Sequence, residues 1–210
     1  MNSVILSLLC GVAGYVVGSI PFGFLIVKWV KGIDIRSQGS GRTGGTNVFR
    51  VAGFPAGIIT ALLDVGKGAL TVLVVRQLFP AAQGWAEALA GIGVVLGHNA
   101  SVFIGFRGGA GGATSVGTAL ALWPLGGLPA LVAGLFTLFI IGYASLATIL
   151  SALAVALVFT YFGLTSNLVP LPYAAFGWAI VVLVLIALRP NLMRLVAGTE
   201  KRVSVFKRSG

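Results

Sequence analysis

The chain has 210 residues, 58% of them hydrophobic and only 9% charged, with a mean hydropathy of +1.05. That exceeds what the core of a soluble domain can hide, so the sequence reads as an all-α integral membrane protein. Fourteen Lys and Arg against four Asp and Glu leave a net charge of +10, too sparse and too embedded in apolar sequence for a nucleic-acid binder; phosphates and lipid headgroups are the partners it fits. A single cysteine, Cys10, and a single histidine, His98, exclude an internal disulfide and a cysteine- or histidine-built metal cluster.

In chain order, residues 1–30 are apolar without a basic flank or a small-residue cleavage site, and read as a retained span. Gly18, Ser19, Pro21 and Gly23 near its end predict a break or kink, tolerated in lipid where neighbours satisfy the freed backbone. Residues 31–53 form a polar, glycine-rich loop longer than any tight turn. A second span covers about 54–79, with Asp64 and Lys67 three residues apart on one helical face and placed to pair. After a loop around Gly84 to Glu87, a third span runs to about Phe103 and meets a second glycine-rich loop, residues 105–112. The stretch 113–142 is too long for one crossing and is cut by Pro124, Gly126, Gly127 and Pro129, which fits two short spans or a re-entrant pair. Residues 145–163 and 173–188 supply two more, followed by a basic tail. The reading is about seven transmembrane helices, five as the fallback, in a single transmembrane domain over 1–210.

Lys28, Lys31, Arg36, Arg42 and Arg50 surround the first loop, Arg107 lies in the second, and Arg189, Arg194, Lys201, Arg202, Lys207 and Arg208 follow the last span. The positive-inside rule makes these regions cytoplasmic, and an odd number of spans then puts the N-terminus outside.

Both loops have the chemistry of anion sites. Gly39, Ser40, Gly41, Arg42, Thr43, Gly44, Gly45, Thr46, Asn47 and Arg50 offer convergent backbone N–H groups, hydroxyls, an amide and guanidinium groups. Composition alone fits a flexible charged loop equally well. Arg107, Gly108, Gly109, Gly111, Gly112 and Thr114, directly before an apolar helix, put exposed amides and a positive helix end beside a cation. The bland alternative is a glycine hinge. A nucleotide P-loop is excluded, because no Lys-Ser or Lys-Thr follows the glycines at the required spacing.

These segments, with Gly18-Ser-Ile-Pro-Phe-Gly23, Asp64-Val-Gly-Lys-Gly68, Tyr143-Ala-Ser145 and Asn191 to Glu200, together resemble the bacterial acyl-phosphate:glycerol-3-phosphate acyltransferases. The sequence departs from that pattern in four places. Arg42 stands for an Asn, Ala110 for a Lys, Ala100-Ser101 for Phe-Pro, and Leu188-Arg189-Pro190-Asn191 for His-Arg-acidic-Asn. The resemblance implies a multi-pass enzyme of the bacterial plasma (inner) membrane. It would pass an acyl group from acyl phosphate to the sn-1 hydroxyl of glycerol 3-phosphate, giving lysophosphatidic acid and inorganic phosphate in phospholipid biosynthesis, without metal or cofactor.

On that resemblance the catalytic set is Ser40, Arg50, His98, Ser145 and Asn191. Gly39, Gly41, Thr46, Asn47, Arg107, Gly108, Gly109, Gly111, Gly112 and Thr114 bind substrate phosphate. His98 also fits a satisfied interfacial histidine, Ser145 and Asn191 helix caps, and Asp64 with Lys67 a structural pair. Two other functions stay open: a small anion transporter with broken helices, and an inactive lipid-binding paralogue.

Overall fold

The computed structural model describes residues 2–80, 84–166 and 168–203; Lys207 and Arg208 of the expected basic tail lie outside them. Among the described residues the regular structure is helical. The helices are α1 (Ser3–Gly18), α2 (Phe22–Lys31), α3 (Gly45–Ala52), α4 (Phe54–Leu78), α5 (Trp85–Asn99), α6 (Gly112–Leu122), α7 (Pro124–Phe136), α8 (Ala144–Thr165) and α9 (Leu171–Val196). A π-helical turn over Thr137–Ile141 extends α7.

Six helical units are long and apolar enough to cross a bilayer: Ser3–Lys31, Phe54–Leu78, Trp85–Ile104, Pro124–Ile141, Ala144–Thr165 and Leu171–Val196. The seventh apolar element, α6, has 11 residues and rises about 16 Å, short of the ~30 Å hydrocarbon core. The expected seven is therefore met by six full-length units and one short helix. The expected break falls at Ser19–Pro21, between α1 and α2. Pro21 has no N–H to continue the ladder, and the carbonyls of Gly18 and Ile20 beside the break accept hydrogen bonds from the Lys67 ammonium at 3.1 and 3.2 Å.

Two boundaries differ from expectation. The loop 31–53 contains α3, an eight-residue helix that buries Val48 against Val27, Ile35 and Ala56. The last span does not stop at Leu188: α9 runs through Pro190, so Asn191 lies within the helix near its end and not beyond it.

Lipid tails are as apolar as leucine, so helices in a membrane associate through close van der Waals contact and buried polar pairs. The α1–α5 contact follows this rule, since a Cβ at Gly14 or Gly18 would overlap the backbone of Ala90 or Val94. The central cluster packs Phe159, Phe176 and Ile180 of α8 and α9 against Val94, Val95 and Ala119. A polar pin closes one end of the bundle. Glu87, 1% exposed, accepts from Arg76 Nε at 2.6 Å, from the Tyr173 hydroxyl and from Gly84 N–H at 3.3 Å, while Arg76 Nη2 donates to Leu122 O at 3.1 Å. Four helices are tied there.

The opposite end gathers the polar stretches. Arg36 donates to Ile104 O, Thr43 N–H to Gly108 O, Arg50 to Lys201 O, and Val203 N–H to Gly142 O. Residues far apart in sequence thus form one polar cap.

Candidate active site

Beneath that cap lies a cavity of about 270 Å³, with Ser40, Arg42, Thr46, Arg50, Asn191 and Glu200 at its polar mouth. Leu131, Leu135 and Leu138 form its apolar flank, beside Ala147 and Ser151 of α8. A charged mouth joined to an apolar slot fits a ligand with an anionic head and a hydrocarbon tail.

The first loop owes its shape to Asn47. This residue is 2% exposed; its side-chain oxygen accepts from Ser40 N–H at 2.9 Å, and its amide donates to Gln38 O and Arg42 O at 3.1 and 2.9 Å. Gly39 and Gly41 sit at φ +59° and +73°, where a side chain is strained, and a Cβ on Gly39 would strike the Asn47 amide. Asn47 therefore holds Ser40 and Thr46 at the mouth. Its own donors are spent, so the expected phosphate contact through its amide is not available.

The second loop behaves differently from expectation. Gly108 N–H and Gly109 N–H donate to Asn99 O and His98 O at 3.1 and 2.9 Å, so neither is free for an anion. Arg107 is exposed and stands outside the cavity wall. Gly111 and Gly112 do line the cavity at the N-terminus of α6, whose first N–H groups have no intrahelical partner. Thr114 lies just beyond, fully buried, with an Oγ1 that has no hydrogen-bond partner in the protein.

The cation that joins the two loops is Arg42. Its Nη1 donates to Gly109 O at 3.2 Å, its Nη2 to Ala187 O, and its Nε to Asn191 Oδ1 at 3.3 Å. Asn191 Nδ2 donates in turn to Glu200 Oε1 at 2.8 Å, and Glu200 pairs with Arg194 at 3.1 Å. Burial and the nearby Arg194 pull the Arg42 guanidinium below its ordinary value, with Glu200 opposing; burial does the same to Arg50. Both remain cations at neutral pH. Arg42 occupies the position at which the sequence departs from the resembled pattern.

Ser145, 1% exposed, opens α8 and lines the cavity with an Oγ that has no partner in the protein. On the facing wall, Asp64 and Lys67 pair at 2.9 Å, as their spacing predicts. His98 joins them: its Nδ1 lies 2.9 Å from Lys67 Nζ and 3.4 Å from Asp64 Oδ1. The three form one buried cluster, of which His98 and Asp64 reach the cavity. Sequence reading placed Arg42 among the first loop's guanidinium groups and Lys67 in a helical pair; it missed that Arg42 bridges to α9 and that Lys67 joins His98.

Ser40, Thr46, Asn47, Arg50, His98, Gly111, Gly112, Ser145 and Asn191 thus line one cavity, and Arg107 does not. Fold and site together define a membrane-embedded helical bundle with a pocket at one end that is lined by charged groups on one side and apolar side chains on the other. The chain belongs to the glycerol-3-phosphate acyltransferase family, whose model matches residues 8–198. It is 37% identical over 196 residues to a glycerol-3-phosphate acyltransferase of Halalkalibacterium halodurans, covering 91% of this chain and 93% of that one. It also superposes on the crystal structure of PlsY (YgiH), an integral membrane glycerol 3-phosphate acyltransferase. The TM-score is 0.82 for the glycerol 3-phosphate form, at 33% identity, and 0.80 for the lysophosphatidic acid form, at 32%, each match covering 93% of this chain and 94% of that one.

Proposed function

We propose that this protein transfers a fatty acyl group from acyl phosphate to the sn-1 hydroxyl of glycerol 3-phosphate, releasing lysophosphatidic acid and inorganic phosphate. The observation that carries this reading is the junction of an arginine-lined mouth and an apolar slot at Ser145, whose hydroxyl is buried and idle. Two anions have to be held close together despite their repulsion, which calls for Arg42, Arg50 and the N–H groups at the start of α6. The tail then lies along Leu131, Leu135 and Leu138.

The donor is a mixed anhydride and already activated. The hydroxyl oxygen attacks the acyl carbonyl, the carbonyl–phosphate C–O bond breaks, and phosphate departs with the electron pair. No enzyme nucleophile or cofactor enters. Catalysis is positioning plus charge stabilisation, with Ser145 donating to the developing oxyanion and Asn191, fixed by Arg42 and Glu200, aligning the head groups. The hydroxyl proton goes to a phosphate oxygen of the substrate or to His98. Near-normal turnover in His98→Ala would select the substrate oxygen.

The proposed setting is the bacterial plasma membrane, with a single domain over residues 1–210, the N-terminus outside and the arginine-rich cap in the cytoplasm. Among the described residues that cap holds every Lys and Arg but Lys67 and Arg76, which supports the orientation. A second reading, binding without turnover, draws on Ala110 and Leu188. Both line the cavity where the resembled pattern has Lys and His. Release of inorganic phosphate from palmitoyl phosphate, with and without glycerol 3-phosphate, decides between them. Wild type is expected to release phosphate only with the acceptor, and Arg50→Ala to lose at least about a hundredfold.

A further inference from the structure

The four carboxylates of the chain are Asp34, Asp64, Glu87 and Glu200. Three of them use both oxygens: Asp34 on Arg36, Glu87 on Arg76, Tyr173 and Gly84, and Glu200 on Asn191 and Arg194. Asp64 does not. Its Oδ1 faces Lys67 and His98 at 2.9 and 3.4 Å, while its Oδ2, in a residue 1% exposed, has no partner in the protein. Asp64 also lines the cavity. A buried carboxylate oxygen left without a donor is destabilising, and an ionised one more so, which favours a ligand that brings a donor.

The missing partner has to be a donor, because an ionised carboxylate only accepts. A phosphate is repelled, because its negative charge would meet a carboxylate, and a hydrocarbon tail has no donor at all. Resting on the acyl-transfer reading above, we propose that Asp64 Oδ2 accepts a hydrogen bond from the secondary hydroxyl of the glycerol phosphate, making Asp64 a specificity-determining residue. The primary hydroxyl must give up its proton during transfer, and a carboxylate already paired with an ammonium and an imidazole is a poor proton acceptor. The secondary hydroxyl keeps its proton throughout. The cavity is thereby polarised: arginines at the mouth take phosphates, and the Asp64–Lys67–His98 cluster on the wall takes the polyol.

Three acceptors with palmitoyl phosphate as donor test this on the purified full-length protein: glycerol 3-phosphate, 3-hydroxypropyl phosphate, which lacks the secondary hydroxyl, and dihydroxyacetone phosphate, which carries a ketone there. Wild type is expected to favour glycerol 3-phosphate over 3-hydroxypropyl phosphate by at least about tenfold in kcat/KM. Dihydroxyacetone phosphate, which sets a carbonyl oxygen against Oδ2, is expected to come last.

In Asp64→Asn the amide oxygen must face Lys67, which puts its NH2 where Oδ2 was. Acceptor becomes donor, so dihydroxyacetone phosphate is expected to overtake 3-hydroxypropyl phosphate. The wild-type ranking is decisive by itself if the variant does not fold. Equal use of all three acceptors by wild type, or an unchanged order in a folded Asp64→Asn, overturns the assignment and leaves acyl transfer intact. Failure of wild type to acylate any acceptor sinks both.

Discussion

Arg42 Nε donates to Asn191 Oδ1 at 3.3 Å across 149 positions of sequence, and the same guanidinium holds Gly109 O and Ala187 O. One side chain thus fixes the first loop, the second loop and the last helix relative to one another. Arg42→Lys keeps the charge but loses the planar fork that reaches three acceptors. Its acyl-transfer kcat/KM is expected to fall about a hundredfold, the scale of a small misplacement in a positioned site. A lysine variant within twofold of wild type would show that charge alone suffices.

Asn47→Ala tests whether that residue shapes the loop. Removing it strands Ser40 N–H and Arg42 O and takes one of two donors from Gln38 O, which keeps Gly41 N–H, with an expected loss of about 1–3 kcal/mol. Limited proteolysis should cut within residues 38–44 at a protease concentration that leaves wild type whole. Direct phosphate binding by Asn47 predicts a raised KM with no new cleavage, the opposite result.

Two glycine substitutions separate close approach from helix propensity. A Cβ on Gly109 would collide with the His98 ring, whereas one on Gly66 in α4 meets nothing within 4 Å. Gly109→Ala is expected to lower turnover at least about tenfold, because the clash moves both the His98 ring and the Gly109 carbonyl that Arg42 holds. Gly66→Ala should raise Tm slightly, by the equivalent of about 0.5–1 kcal/mol.

The transmembrane helices were legible because hydropathy and length suffice for them, and the break at Pro21 because proline chemistry is local. Helix α3 was hidden by its brevity and by the glycines before it. Its buried face becomes apparent only when Val48 meets Val27 and Ile35. Ser40, Arg50, Ser145 and Asn191 were legible from motif order. The division of labour inside the motifs was not, because whether a backbone N–H is free depends on carbonyls elsewhere: Gly108 and Gly109 look like anion donors until their N–H groups are seen to donate to Asn99 O and His98 O. Arg42 was legible as one of the first loop's cations, but its bridge to α9 was not, since nothing local indicates that contact.

Glu87 sets an independent check at the far end of the bundle. Glu87→Gln removes the buried charge that Arg76, itself 34% exposed, pairs with, and disturbing hydrogen bonds to a buried charged group costs about 1–3 kcal/mol. Tm in detergent should drop markedly, yet the KM for glycerol 3-phosphate of the surviving folded fraction should match wild type. A KM shift without a Tm shift would contradict the purely structural role.

Acid titration addresses the loop that carries Arg36. Hydrogen bonds from the Arg36 side chain and then its backbone N–H hold the Asp34 carboxyl down at about 2, from an ordinary 3.8. A lowered folded-state value means the contribution is complete above pH ~4 and is lost as pH falls through about 2. Titration followed by carbon-detected NMR of the Asp34 carboxyl should place its midpoint near 2, and in Arg36→Ala near 4.

The interruption between α1 and α2 carries a consequence for how such chains can diverge. Two carbonyls beside it, Gly18 O and Ile20 O, are the seat of the Lys67 ammonium, so a defect in one helix and a cation on another form a lock-and-key set. Lineages that straighten residues 18–21 into continuous helix forfeit that seat, and a neutral residue at 67 should accompany them.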